Sequence, residues 1–108
     1  MALADPQGAA ALGARAEQVA AVLTELSNPR RLMILCLLAE GERSVGALQD
    51  ALGLGQSALS QHLARLRSAG MVATRRDGTS VHYRIADPET AKVMMALHDV
   101  FCGPESAA

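Results

Sequence analysis

Residues 32–38 read Leu-Met-Ile-Leu-Cys-Leu-Leu, an unbroken apolar run of about two helical turns. Such a run is too short to cross a bilayer, which takes about 20 apolar residues. As a helix it offers no polar face to water, so it has to be surrounded by other elements. Asn28-Pro29 ahead of it supplies a cap and a proline suited to a first helical position, and Gly41 behind it supplies a stop. The chain is therefore predicted to pack its remaining elements around a central helix over residues 29–40, buried on every side. Its 108 residues suffice for one hydrophobic core but not for a two-domain enzyme.

The elements around that helix can be placed from spacing. Ala16, Val19, Ala20, Leu23 and Leu26 recur at helical intervals and predict a helix over 15–26. Ser44 caps a short helix over 45–52, closed by Gly53-Leu54-Gly55, and a further helix runs over 56–69 to Gly70. Two helices joined by a tight glycine-containing turn form a helix-turn-helix. Alternating runs at 71–76 and 79–85 flank Asp77-Gly78, a strong hairpin signal. A two-residue loop there pairs Val72 with Tyr83 and Thr74 with Val81 on the core face. Ala73, Arg75, Ser80, His82 and Arg84 then share the other face. Asp87-Pro88-Glu89 opens a last helix that ends at Cys102, before Gly103-Pro104. The expected fold is mainly α with a small β-hairpin wing, a winged helix-turn-helix over residues 15–103. Residues 1–14 are Ala/Gly-rich with no basic residue ahead of an apolar block, so a flexible arm is expected rather than a signal peptide. Residues 104–108 are expected to fray. Tyr83 and Phe101 are the only aromatics, which leaves a core of Leu, Val, Ala and Met.

The net charge of −1 conceals an uneven distribution. Residues 56–84 carry five arginines (65, 67, 75, 76 and 84) against Asp77 alone, whereas acids outnumber bases on both sides of that segment. A contiguous basic segment is the local footprint that phosphate binding requires, and equally what an ordinary solvated surface can show. The helix over 56–69 separates the two. Leu59, Leu63 and Leu66 form its inward stripe, and Ser57, Ser60, Gln61 and Ala64 lie opposite, with no acid from Gln56 to Arg76. Small hydroxyls and an amide suit a helix lying deep in a major groove about 12 Å wide, where Gln can bond adenine bidentately. Gln56 near the helix start can reach a base or a phosphate, with His62 flanking the surface. Arg65, Arg67, Arg75, Arg76 and Arg84 suit the adjoining phosphates, and the tip at Gly78 and Thr79 is narrow enough for a minor groove. Double-stranded DNA is the expected partner. Enzymatic activity is not expected, because no nucleophile–base–orienter set is present and Ser60 and His62 point to different sides of one helix.

Taken together, Asn28-Pro29-Arg30-Arg31-Leu32, Gln56-Ser57-Ala58-Leu59-Ser60-Gln61-His62-Leu63 and Arg75-Arg76-Asp77-Gly78 resemble the ArsR/SmtB-type repressors. The resemblance spans about residues 17–102. It implies a homodimer built on the first and last helices, binding to a palindromic operator, and release on a signal; the short apolar runs and an N-terminus unlike a signal peptide make the cytoplasm the expected place. Val19, Leu23, Met94, Met95 and Phe101 are the expected dimer surface. Gly55 departs from the pattern, since relatives commonly place Ser there as the cap.

Two cysteines are present, Cys36 and Cys102. The residues alone leave two readings open, small buried hydrophobes or a reactive pair. Cys102, beside the terminal Gly-Pro, is expected to be the more exposed. Leu-Met-Ile-Leu-Cys early and Val-Phe-Cys late resemble the dithiol, persulfide-responsive branch of the same family. That resemblance implies that Cys36 and Cys102 are the sensing pair, linked through a disulfide or short polysulfide by reactive sulfur species or oxidants, with DNA affinity falling as a result. No cofactor is implied. Metal-sensing members carry a Cys-x-Cys near the reading helices or an Asp/His set on the last helix, and neither occurs here. His98 and Cys102, one turn apart with Asp99 nearby, are the remaining metal alternative, short of the usual three or four ligands.

Overall fold

The structure, a computed structural model, describes residues 6–103. In chain order the elements are α1 (Pro6–Ala14), α2 (Ala16–Leu26), α3 (Pro29–Glu40), β1 (Arg43–Ser44), α4 (Val45–Leu52), α5 (Gln56–Ser68), β2 (Val72–Asp77), β3 (Ser80–Ile85) and α6 (Pro88–Cys102).

Helix ends follow the local chemistry. Asn28 caps α3 by accepting at Oδ1 from the backbone N–H groups of Arg30 (2.9 Å) and Arg31 (3.2 Å), with Pro29 as the first helical residue. Ser44 Oγ accepts from the Ala47 N–H at 3.0 Å to start α4. Asp87 caps α6 through the Glu89 N–H at 3.1 Å. Gly53, at φ 64°, closes α4 in the left-handed conformation that glycine adopts without steric cost.

The core is aliphatic and centres on α3. Ile34 and Leu35 are wholly buried, against Leu48 of α4, Leu59, Leu63 and Leu66 of α5, Met71, Val72 and Met94. Burying a Leu or Ile side chain contributes about 1.5–3 kcal/mol each, so this cluster is the main source of cohesion. The expectation that α3 is buried all round needs one correction. Met33 is 45% exposed, because no element covers that side within the single chain.

The wing has the expected strands in a different register. Val72 pairs with Ile85, Thr74 with Tyr83, Arg76 with Val81 and Asp77 with Ser80, two residues away from the pairing predicted. The turn is Gly78-Thr79 rather than Asp77-Gly78, with Gly78 at φ 62°. The predicted turn would have placed Asp77 first in the loop, where the hairpin-favouring turns need a positive φ, and glycine fills that place without a Cβ penalty. A shift of two preserves the faces, so Val72, Thr74 and Tyr83 still share one face and Arg75, His82 and Arg84 the other. A third strand was not anticipated. β1 pairs antiparallel with β3, Arg43 opposite Tyr83 and Ser44 opposite His82, so the sheet order is β1-β3-β2.

Residues 6–14, expected within a flexible arm, form α1, consistent with the high helix propensity of its alanines. Residues 1–5 of that arm and the tail 104–108 lie outside the described residues.

Replacing the cap that orients α3 tests how far the core depends on it. Asn28→Ala should lower the unfolding free energy by about 1 kcal/mol, seen as a lower denaturant midpoint at unchanged slope.

Candidate functional site

Helix α5 is held by Leu59, Leu63 and Leu66, all buried, and therefore turns Gln56, Ser57, Ser60, Gln61, Ala64 and Arg67 to solvent. Gly55 begins it without a side-chain cap. The wing stands beside it. A cleft of about 430 Å³ between them is lined by Gln56 and Ser60 on one side and Thr79, Ser80 and Tyr83 on the other. Residues of helix and hairpin that were singled out separately in the sequence thus border one concave surface. That surface carries hydroxyls and amides and no acid.

The five arginines divide into two groups. Arg67, Arg76 and Arg84 are exposed and enter no ion pair among the described residues. Arg65 and Arg75 are tethered. Arg65 Nε donates to Glu25 Oε1 at 2.8 Å, and Arg75 Nε and Nη2 each reach Glu42 Oε1 at 2.7 Å. The hydrogen bond from Arg75 holds the Glu42 carboxyl below the usual range. Counting charge within residues 56–84 missed both acids, which arrive from α2 and from the loop before β1. Arg76 and Arg75 occupy opposite faces of the wing, since Arg76 pairs with Val81 and Arg75 with His82.

His62 is half-buried on the flank of α5. Burial pushes its imidazole below the ordinary value, and the positive charges of Arg31, Arg30 and Arg65 add to the effect. Arg30 and Arg31, at the start of α3, were not among the residues expected around the reading helix.

The two thiols share a wall. Cys36 on α3 is half-buried, and Cys102 at the end of α6 is exposed, as its place beside Gly103 implied. Both line an apolar cavity of about 460 Å³ between α2, α3 and α6, together with Leu26, Met33, Leu97 and Phe101. His98 lines it too, yet among the described residues no three His, Cys, Asp or Glu side chains come together as a metal site. Of the lining residues Leu23 and Phe101 are exposed, Phe101 by 80%, and Met95 and Val100 of α6 are exposed as well. Met94, expected on a dimer surface, is instead buried at 4% exposure, because α6 turns it inward to the core. Val19 is half-buried in a groove with Arg15, Val22 and Glu89. Arg15 and Glu89 form a two-bond ion pair at 2.7 Å that ties α2 to the start of α6.

A short helix, a glycine turn, an acid-free second helix and a basic hairpin beside it define a winged helix-turn-helix protein. Residues 28–74 match the model of the arsR family of bacterial regulatory proteins. A biofilm growth-associated repressor of Xylella fastidiosa is 46% identical over 94 residues, 87% of this chain and 82% of the relative. The crystal structure of the transcriptional repressor BigR from Xylella fastidiosa superposes with a TM-score of 0.81 at 45% identity, covering 84% of this chain and 93% of that one. A homodimeric winged helix-turn-helix DNA-binding domain from Mycobacterium bovis, solved by NMR, superposes with a TM-score of 0.71 at 42% identity, covering 89% and 85%. The chain belongs to the arsR family.

The His62 shift has a defined sign. With a folded-state pKa below the unfolded value of about 6.5, the unfolded chain takes up the proton first as pH falls. Stability contributed by neutral His62 is complete above that value and is lost progressively as pH falls from it to the lower folded-state value. Wild-type stability, compared with His62→Gln by urea unfolding between neutral and mildly acidic pH, should therefore fall more steeply on acidification.

Proposed function

We propose that this protein is a dimeric transcriptional repressor that binds a near-palindromic operator and releases it when Cys36 and Cys102 become linked by a reactive sulfur species or an oxidant. The observation that carries the thiol reading is that both cysteines line one cavity although they lie on different helices. The repressor and dimer readings draw on the relatives named above, and the exposed Leu23, Met95 and Phe101 supply an apolar surface for a second copy. Two reading helices related by such an axis would enter successive major grooves about 34–36 Å apart.

On DNA, α5 lies in the major groove with Ser57, Ser60 and Gln61 toward base edges and Gln56 near the backbone. Arg67, Arg76 and Arg84 meet phosphates directly, Arg75 exchanges or shares its carboxylate to do so, and Arg65 reaches a phosphate only while it stays paired with Glu25. Gly78 and Thr79 approach the minor groove.

In the switch, the exposed Cys102 reacts first as thiolate, taking the outer sulfur of a persulfide R–S–S–H and releasing the thiol R–S–H. The Cys36 thiolate then attacks the Cys102 sulfur and displaces hydrosulfide, leaving a disulfide. Where both cysteines have become persulfides, their condensation releases hydrogen sulfide and leaves a trisulfide. Each inserted sulfur lengthens the bridge by about one S–S bond, 2.05 Å, so helices slightly too far apart for a relaxed disulfide favour the longer link. Either link restrains α3, which lies beneath the reading motif, against α6.

Mass spectrometry after persulfide treatment should show Cys36 joined to Cys102 within one protomer, together with weaker operator binding by fluorescence anisotropy. Cys36→Ser and Cys102→Ser should each bind the operator as the untreated wild type does and fail to respond. A response retained in either variant, or links formed only between protomers, would sink the switch.

Base reading has a separate signature. Gln61→Ala should lose about 1–3 kcal/mol of discrimination at one base pair, and Arg76→Ala should weaken all sequences alike while reducing the salt slope by about one. Unchanged operator preference in Gln61→Ala would remove α5 as the reading helix.

A further inference from the structure

Glu25 is the only buried acid among the described residues, and it joins two parts of the molecule with different tasks. Its Oε1 accepts from Arg65 Nε at 2.8 Å and lies 3.5 Å from Arg31 Nε. Arg31, itself buried, also donates from Nε to the Glu25 carbonyl at 2.9 Å and from Nη2 to the Thr24 carbonyl at 3.3 Å. These bonds satisfy carbonyls at the end of α2, where a cation is favoured by the helix dipole, and fasten that turn to the start of α3. Leu23, Leu26 and Ser27 of the same turn line the cavity that holds both thiols. Arg65 stands one turn beyond Gln61 on α5. One helical turn therefore touches the thiol cavity on one side and, through Glu25, grips the reading helix on the other.

We propose that Glu25 is a positioning residue for DNA reading, seating α5 through Arg65, and that it relays the state of the thiol pair to that helix. The relay rests on the thiol switch proposed above, and the seating does not. A carboxylate whose side chain is 12% exposed, hydrogen-bonded to Arg65 and beside the buried Arg31, is a restraint, because moving it away costs charged hydrogen bonding that little water is at hand to replace. Linking Cys36 to Cys102 draws together two walls of the cavity, α3 and α6. The third wall, the end of α2, has to shift with them, and Glu25 with it. Since Arg65 follows Glu25, α5 changes its seat relative to the wing.

A double-mutant cycle with Glu25→Gln and Arg65→Gln, measured on operator and on scrambled duplex with reduced protein, tests the seating. Each single change should weaken operator binding about tenfold more than scrambled binding, and the double variant should lose no more than the worse single. Melting curves establish that each variant is folded at the assay temperature, and a purely structural role would leave the operator-to-scrambled ratio unchanged. Additive losses, with Arg65→Gln weakening both duplexes equally, would overturn the proposal and make Arg65 a plain phosphate contact. Should Glu25→Gln fail to fold, Arg65→Gln decides alone, since its side chain is half exposed and its selective loss on the operator is the expected result. For the relay, persulfide-linked wild type and Arg65→Gln are compared at equal link yield by mass spectrometry. The drop in operator affinity on linking should shrink in the variant. An equal drop overturns the relay. A wild type that links fully and keeps its affinity overturns the switch and the relay together, while the duplex comparison still decides the seating.

Discussion

Burial of α3 is the constraint on which everything else in this domain depends. Ile34, Leu35 and Leu38 lie buried at the centre of the molecule, so α4, α5, the sheet and α6 are held in place by having to cover that part of the helix. Because α5 is one of those covers, its polar face is aimed outward by the same contacts that make the core. The orientation of that polar face is thus a consequence of packing. Cys36 sits within this helix, so any chemistry at that sulfur acts on the element that supports all the others.

Charge is organised around that core at two depths. Exposed pairs such as Arg15–Glu89 contribute little to stability in water but add a local restraint between α2 and α6. The Glu25, Arg31 and Arg65 cluster differs, because its carboxylate is nearly out of water and its geometry is correspondingly strict. A basic surface for phosphates is usually pictured as a set of free cations. Here some of the cations are fixed by acids from other elements, which orders their side chains at the cost of competing with DNA for them.

The apolar cavity around the thiols brings together features that would otherwise be unrelated. Its walls come from α2, α3 and α6, and the exposed Phe101, Leu23 and Met33 lie at its edge. An apolar surface of this kind is expected to be covered in solution, and under the function proposed above it brings both sulfurs close to the region where two copies would meet.

The sequence by itself determined the capped starts of α3, α4 and α6, the pair of helices joined by a glycine turn and the existence of the wing, though not α1. Those signals are local: Asn28 bonds backbone groups two and three residues away, Ser44 bonds one three residues away, and Leu59, Leu63 and Leu66 declare a buried stripe within one helix. Tertiary structure decided what depends on partners far along the chain. The wing register moved by two because Gly78 took the strained turn position, and β1 joined the sheet from forty residues away. Met94 turned inward and Met33 outward because a helix that is apolar on several sides reveals its core face only once its neighbours are in place. Glu25 and Glu42 reached Arg65 and Arg75 across separations of 40 and 33 residues, which no count of local charge can foresee. Backbone caps and periodicity are written within a few residues, whereas electrostatic pairing and burial belong to the surface that folding creates.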